Sequence, residues 1–94
     1  MRYILEGTWS GYTSRQSRVV HREVITSPKR IERLKAMHGI QYTDGTMLYT
    51  DLREAKPRER VEEIKSYSSL IREAEAMPGD VVRVADLPST RKTA

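Results

Sequence analysis

The chain has 94 residues, 37% of them hydrophobic, with no cysteine, no phenylalanine and one tryptophan. A single thin domain is therefore expected, and disulfides, thiolate metal sites and cysteine nucleophiles are excluded. Seventeen Lys and Arg against thirteen Asp and Glu give a net charge of +4 and a pI near 9.6, which favours anionic partners at encounter and disfavours a DNA mimic.

No stretch approaches the roughly 20 apolar residues of a membrane span. Without a long apolar run near Met1 to act as a secretory leader, the expected compartment is the cytoplasm. A core this thin is expected to be shared with a second copy, as a homo-oligomer.

In chain order, residues 2–9 alternate: Tyr3, Leu5 and Trp9 share one face, with Arg2, Glu6 and Thr8 on the other, the period of a half-buried strand. Ile4 breaks that alternation and implies that the outer face is partly covered. A turn-rich link over 10–14 leads to a β-branched strand at 17–26, forming a hairpin with the first. Ser27 can cap a helix that Pro28 opens, and Ile31, Leu34 and Met37 lie on one helical face. Lys35 and His38 lie near its C-terminus, with Gly39 as a left-handed terminator.

Strands at 40–43 and 46–50 flank Asp44-Gly45, which suggests a type I′ hairpin turn. A second helix is expected from about 58 to 67 after Lys56-Pro57, with Val61 and Ile64 facing inward. A third, short one starts at Ser68 or Ser69 and carries Leu70, Ile71 and Ala74. Met77-Pro78-Gly79-Asp80 ends it, a last strand covers 81–84, and 88–94 reads as a frayed tail beyond a single domain at 1–87. The expected class is α+β: a mostly antiparallel sheet with two or three helices on one face.

Three constellations can carry chemistry. Arg15, Arg18, His21 and Arg22 form a basic hairpin. Arg18 and Arg22 are expected on one strand face about 13 Å apart, at a rise of about 3.3 Å per residue, where two guanidinium forks can hold two phosphates. The plainer reading is a charged face that blocks edge aggregation. In Tyr42-Thr43-Asp44-Gly45-Thr46, the Asp44 carboxylate either shapes the turn or accepts from a ribose hydroxyl or base amine. Thr43 and Thr46 add hydroxyls there, and Tyr42 or Tyr49 offers a stacking face. Arg53, Lys56, Arg58 and Arg60 gather where a strand is expected to give way to a helix, whose N-terminus attracts phosphate. Glu54, Glu59, Glu62 and Glu63 can instead neutralise them in surface pairs.

Catalysis has weak support. The two histidines, His21 and His38, lack metal-ligand spacing, and there is no phosphate-cradling glycine loop, nucleophile elbow or calcium loop. A ribonuclease-like set of His21, Arg22 and Tyr42 is conceivable only if the fold assembles it. No catalytic residue, metal or cofactor is expected.

The stretch from Ile40 to Leu48, continuing through Lys56-Pro57-Arg58-Glu59-Arg60-Val61-Glu62-Glu63-Ile64, together with Arg2-Tyr3-Ile4-Leu5-Glu6-Gly7-Thr8, resembles the first Thoeris anti-defence family. These are small bacteriophage sponge proteins that counter bacterial immunity, and the resemblance covers about two-thirds of the chain. It implies binding and sequestration, without cleavage, of a small anionic cyclic nucleotide signal of the cyclic ADP-ribose type. A cyclic oligonucleotide at a separate site, assembly as a dimer or hexamer, and action in the cytoplasm of an infected bacterial host are also implied.

By that resemblance, arginines hold phosphates (Arg18, Arg22, Arg58 and Arg60) and an acidic turn residue, Asp44, meets the ribose or base. His21, Tyr42 and Thr46 complete the candidate ligand set. The competing reading is a phage inhibitor or adaptor docking on a protein or on nucleic acid, the latter less favoured at so small a net charge. A domain of this size rarely encloses a nucleotide-sized pocket alone, so a seam between subunits is the expected place for one.

Overall fold

The computed structural model describes residues 1–11, 13–76 and 83–85. The first hairpin forms as its alternation requires. Strand β1 (Tyr3–Ser10) pairs antiparallel with β2 (Arg18–Ile25), with a single 3-10 turn (Ser14–Gln16) between them. Helix α1 (Pro28–Lys35) starts at Ser27, whose Oγ accepts from the Arg30 amide at 3.4 Å. Its buried stripe is Ile31 and Leu34, with Met37 packed on the same cluster just beyond the helix. Burying each such aliphatic side chain contributes about 1.5–3 kcal/mol.

Strands β3 (Gly39–Tyr42) and β4 (Met47–Glu54) form the second hairpin. The two-residue β5 (Ile64–Lys65), helix α2 (Ser68–Ala76) and β6 (Arg83–Ala85) complete the described elements.

The sheet order is β5-β2-β1-β4-β3-β6. The first five strands pair antiparallel, and β6 adds parallel to β3. Both helices lie on the face that carries Leu5: Ile31 and Leu34 of α1 and Ile71 and Ala74 of α2 join Leu5, Val20, Ile25, Ile40, Tyr42, Leu48 and Tyr67 in one core cluster. The protein is thus an α+β domain. No described helix is long and apolar enough to cross a membrane.

Three local expectations are corrected. Gly39 does not terminate α1, which ends against Ala36 in right-handed helical geometry. It opens β3 instead, and a Cβ there would stand 2.5 Å from the Leu48 carbonyl oxygen. The Asp44-Gly45 turn is not type I′, because only Gly45 has positive φ, at 93°. Gly45 N–H donates to the Tyr42 carbonyl and Tyr42 N–H to the Thr46 carbonyl, the pattern of a three-residue loop with a glycine bulge.

The third correction concerns the helix expected from 58 to 67, which does not form. Residues 55–63 instead cross the sheet face away from the helices as a strap, before β5 joins β2 at His21 and Arg22. Helical hydrogen bonding is outcompeted there by long-range partners. Arg2 donates to the carbonyls of Lys56, Pro57 and Glu59, Arg22 donates to that of Glu62, and the Glu63 carboxylate accepts from the Val24 amide at 2.8 Å. Basic Arg58 and Arg60 would also have opposed the helix dipole at its start. The expected stop at Met77-Pro78-Gly79-Asp80 and the 88–94 tail lie outside the described residues.

Candidate functional site

A β-bulge decides where the basic hairpin points. Gly7 stands opposite His21 but Thr8 stands opposite Val19, so β2 carries one extra residue between them. An inserted residue reverses side-chain parity along the rest of a strand. Arg18, opposite Trp9, therefore faces the helix side, whereas Arg22, opposite Glu6, faces the strap side. The expected shared face for the two arginines is corrected. Arg18 lies over the Trp9 ring at 5.5 Å, and Arg22 Nε donates to Glu6 Oε2 at 2.9 Å.

His21 is fully buried. Its Nε2 lies 3.1 Å from Glu23 Oε1, and its Nδ1 is buried with no partner among the described residues. Glu23 is itself buried and takes a 2.7 Å hydrogen bond from Arg30 Nη1. Arg30 also grips the Glu75 carboxylate of α2, with Nε 2.9 Å from Oε1. An ionic cluster thus ties β2 to both helices beneath the core. Burial lowers the His21 pKa below its ordinary value, and the Arg30 guanidinium holds Glu23 below the usual carboxylate range against the opposing effect of burial.

The acidic hairpin serves its own turn. Asp44 Oδ1 accepts from the Thr46 amide at 3.0 Å and from the Thr46 hydroxyl at 2.7 Å, and Thr46 is buried. Tyr42 is buried edge-on against Tyr67, with ring centroids 6.3 Å apart, so it offers no open stacking face. Its hydroxyl lacks a hydrogen-bond partner among the described residues, and burial pushes its pKa up. The conceivable His21, Arg22 and Tyr42 set is not assembled, since Arg22 faces away from the other two.

What the fold does bring together is a cleft of about 220 Å³ between the strap and the sheet. It is lined by Ile4, Glu6, Arg22, Arg53, Glu59, Arg60, Val61 and Glu62. Arg53 and Glu59 form a double hydrogen bond at 3.0 and 2.6 Å. That pairing and the Lys56 amide depress the Glu59 pKa to about 2, while Glu59 raises the Arg53 pKa. Arg60 makes no ion pair among the described residues. Three arginines and three glutamates make this lining predominantly polar, which suits a ligand carrying both anionic and hydrogen-bond-donating groups.

Of the sequence-expected ligand set, Arg22 and Arg60 line this cleft. Arg58 is exposed in the 56–59 turn, and His21, Tyr42, Thr46 and Asp44 belong to the core or to their own hairpin. Among the described residues, no group of three or more His, Asp or Glu side chains could hold a metal ion.

No family model, curated protein or solved structure matches the chain.

Sequence reading grouped Arg53 with Arg60 as a phosphate-attracting cluster and named Glu59 and Glu62 as its surface partners, of which Arg53–Glu59 is a pair in the structure, but it did not select Glu6 or place these residues opposite Arg22. The available signal was Ile4, an apolar residue on the polar face of β1 that required a cover. Nor did it detect the Glu23–Arg30–Glu75 cluster, although His21, Glu23 and Ile25 alternate onto one face of β2.

Proposed function

We propose that the protein is a non-catalytic binder of a small phosphate-bearing ligand, held in the strap cleft by Arg60, Arg22 and Arg53. The observation that carries this reading is the convergence of these three guanidinium groups from the strap, β2 and β4 on one cleft. The interleaved carboxylates suit ribose hydroxyls or base amines, which makes a nucleotide the favoured class. The resemblance to the first Thoeris anti-defence family narrows this to a cyclic ADP-ribose-type signal, sequestered in an infected bacterium to counter antiphage defence.

The cleft is smaller than the roughly 300–1,000 Å³ of typical ligand sites. A second subunit, in a dimer or hexamer, would complete the enclosure. His21 is the base a nuclease mechanism would require, and its burial on the opposite face supports binding without cleavage.

Native mass spectrometry of freshly purified protein, followed by denaturation and analysis of the released small molecules, tests the proposal. The expected result is an oligomer retaining an intact cyclic nucleotide. Arg60→Ala, which breaks no ion pair among the described residues, should weaken binding of titrated cyclic ADP-ribose by tenfold or more, about 1.4 kcal/mol. Release of hydrolysed product only, or unchanged affinity in the variant, would overturn the reading.

A further inference from the structure

The outward edge of β2 is covered unevenly. β1 pairs with β2 from Arg18 to Ile25, but on the other edge β5 pairs only at His21 and Arg22. On one side of β5, the Glu63 carboxylate caps the Val24 amide at 2.8 Å. On the other side, no strand, turn amide or side chain of the described residues covers Arg18–Val20 in this way. There β2 and the turn entering α2 diverge around a second cavity of about 280 Å³, lined by Arg18, Val19, Val20, Ile64, Ser66 and Tyr67. Its mouth carries Arg18, stacked on Trp9 and without a carboxylate partner among the described residues, and exposed Arg15 lies nearby in sequence.

We propose that this open edge is a docking site for an extended acidic segment of a partner protein, added as a further strand alongside Arg18–Val20. Three observations select that occupant. An unpaired strand edge offers its amides and carbonyls to an extended chain. The adjoining cavity, walled by Val19, Val20, Ile64 and Tyr67, accepts one apolar side chain. Arg18, held in place over an indole ring, presents its guanidinium to a carboxylate, as Glu63 already presents a carboxylate to this same strand. A second copy docking through the same edge would bring two Arg18 side chains close together, which like-charge repulsion disfavours.

Amide hydrogen exchange on the full chain, read residue by residue, tests the proposal with an end-capped peptide of alternating Glu and Val and a Lys–Val counterpart. The Glu–Val peptide should slow exchange at Val19 and Val20 by about tenfold or more, with an affinity that falls as salt rises. The Lys–Val peptide should have no effect. Arg18→Glu, an exposed change, should lower the affinity for the Glu–Val peptide at least tenfold while leaving the amide spectrum dispersed and cyclic ADP-ribose binding unaltered.

Equal protection by both peptides, or none by either, would overturn the proposal. So would protection by an oligothymidylate, which indicates nucleic acid, or protection that rises with protein concentration alone, which indicates self-association. Because Arg18 lies on the face opposite the strap cleft, loss of peptide binding and loss of nucleotide binding are separable results.

Discussion

The two faces of the sheet are closed by different chemistry. On the helix face, α1 and α2 bury an apolar cluster and lock it to β2 through Glu23, Arg30 and Glu75. On the strap face, a chain segment without regular structure is held by side chains reaching its backbone: Arg2 and Arg22 to its carbonyls, and its own Glu63 back to β2. The first closure excludes water, so its charges are costly to strip of partners. The second stays wet, so each contact contributes little and can exchange with a ligand. The proposed binding cleft lies under the second cover, where guanidinium groups can change partners without opening the core.

The largest effect should come from Arg30→Ala. It leaves the buried Glu23 and Glu75 carboxylates without their shared cation, and breaking such a pair costs about 3–5 kcal/mol. For a domain this small, that is a large share of total stability. Urea unfolding should show it as a lower midpoint with an unchanged slope. A loss below about 1 kcal/mol would mean that the cluster is not what joins the helices to β2.

Acid should separate the two faces next. The folded state holds the His21 pKa below its ordinary 6.5, so the unfolded chain takes up a proton first as pH falls through that value. Stability is then lost from about pH 6.5 downward. Glu23, depressed by Arg30, adds a further loss only as pH falls below 4.5. The strap pair behaves differently: Glu59, with a pKa of about 2, contributes stability that persists until pH drops below its ordinary 4.5. Amide exchange followed from pH 7 to pH 4 should therefore loosen β2, α1 and α2 before the strap. Simultaneous loosening would place the acid-sensitive group elsewhere, and His21→Leu should flatten the upper part of the profile.

The helix face was the legible one. Alternation in β1, the β-branched run of β2, the Ser27-Pro28 start and the spacing of Ile31 and Leu34 are local patterns, and the structure forms the strands and helix they imply. The strap was not legible, because residues 58–64 carry helix-compatible apolar spacing and yield to hydrogen bonds from Arg2 and Arg22, more than thirty positions away in sequence. The site suffered from one inserted residue. Reading Arg18 and Arg22 on one face assumed an unbroken period of two, and the bulge opposite Gly7 and Thr8 reverses that parity. Of the candidate ligands, those that survive in the cleft, Arg22 and Arg60, come from segments with no sequence signal linking them. Tyr42 and Thr46 were drawn inward by the core and by Asp44.

The smallest effect sharpens the contrast most. Arg2→Ala removes one guanidinium that holds three strap carbonyls, at 3.0, 3.3 and 3.2 Å. Two of the three are exposed and the one to Glu59 is half-buried, so the global cost should stay near 1 kcal/mol. The local consequence should be larger than the global one. Exchange should speed up at Ala55, whose amide donates to the Arg2 carbonyl, and at Glu59, whose amide closes the turn on Lys56, while Ile31, Leu34 and Ile71 keep the wild-type pattern. Regions held by few buried contacts open locally without unfolding the rest. If Arg2→Ala instead lowered protection equally on both faces, the strap would be part of the cooperative core, and a ligand could not enter beneath it without partial unfolding of the sheet.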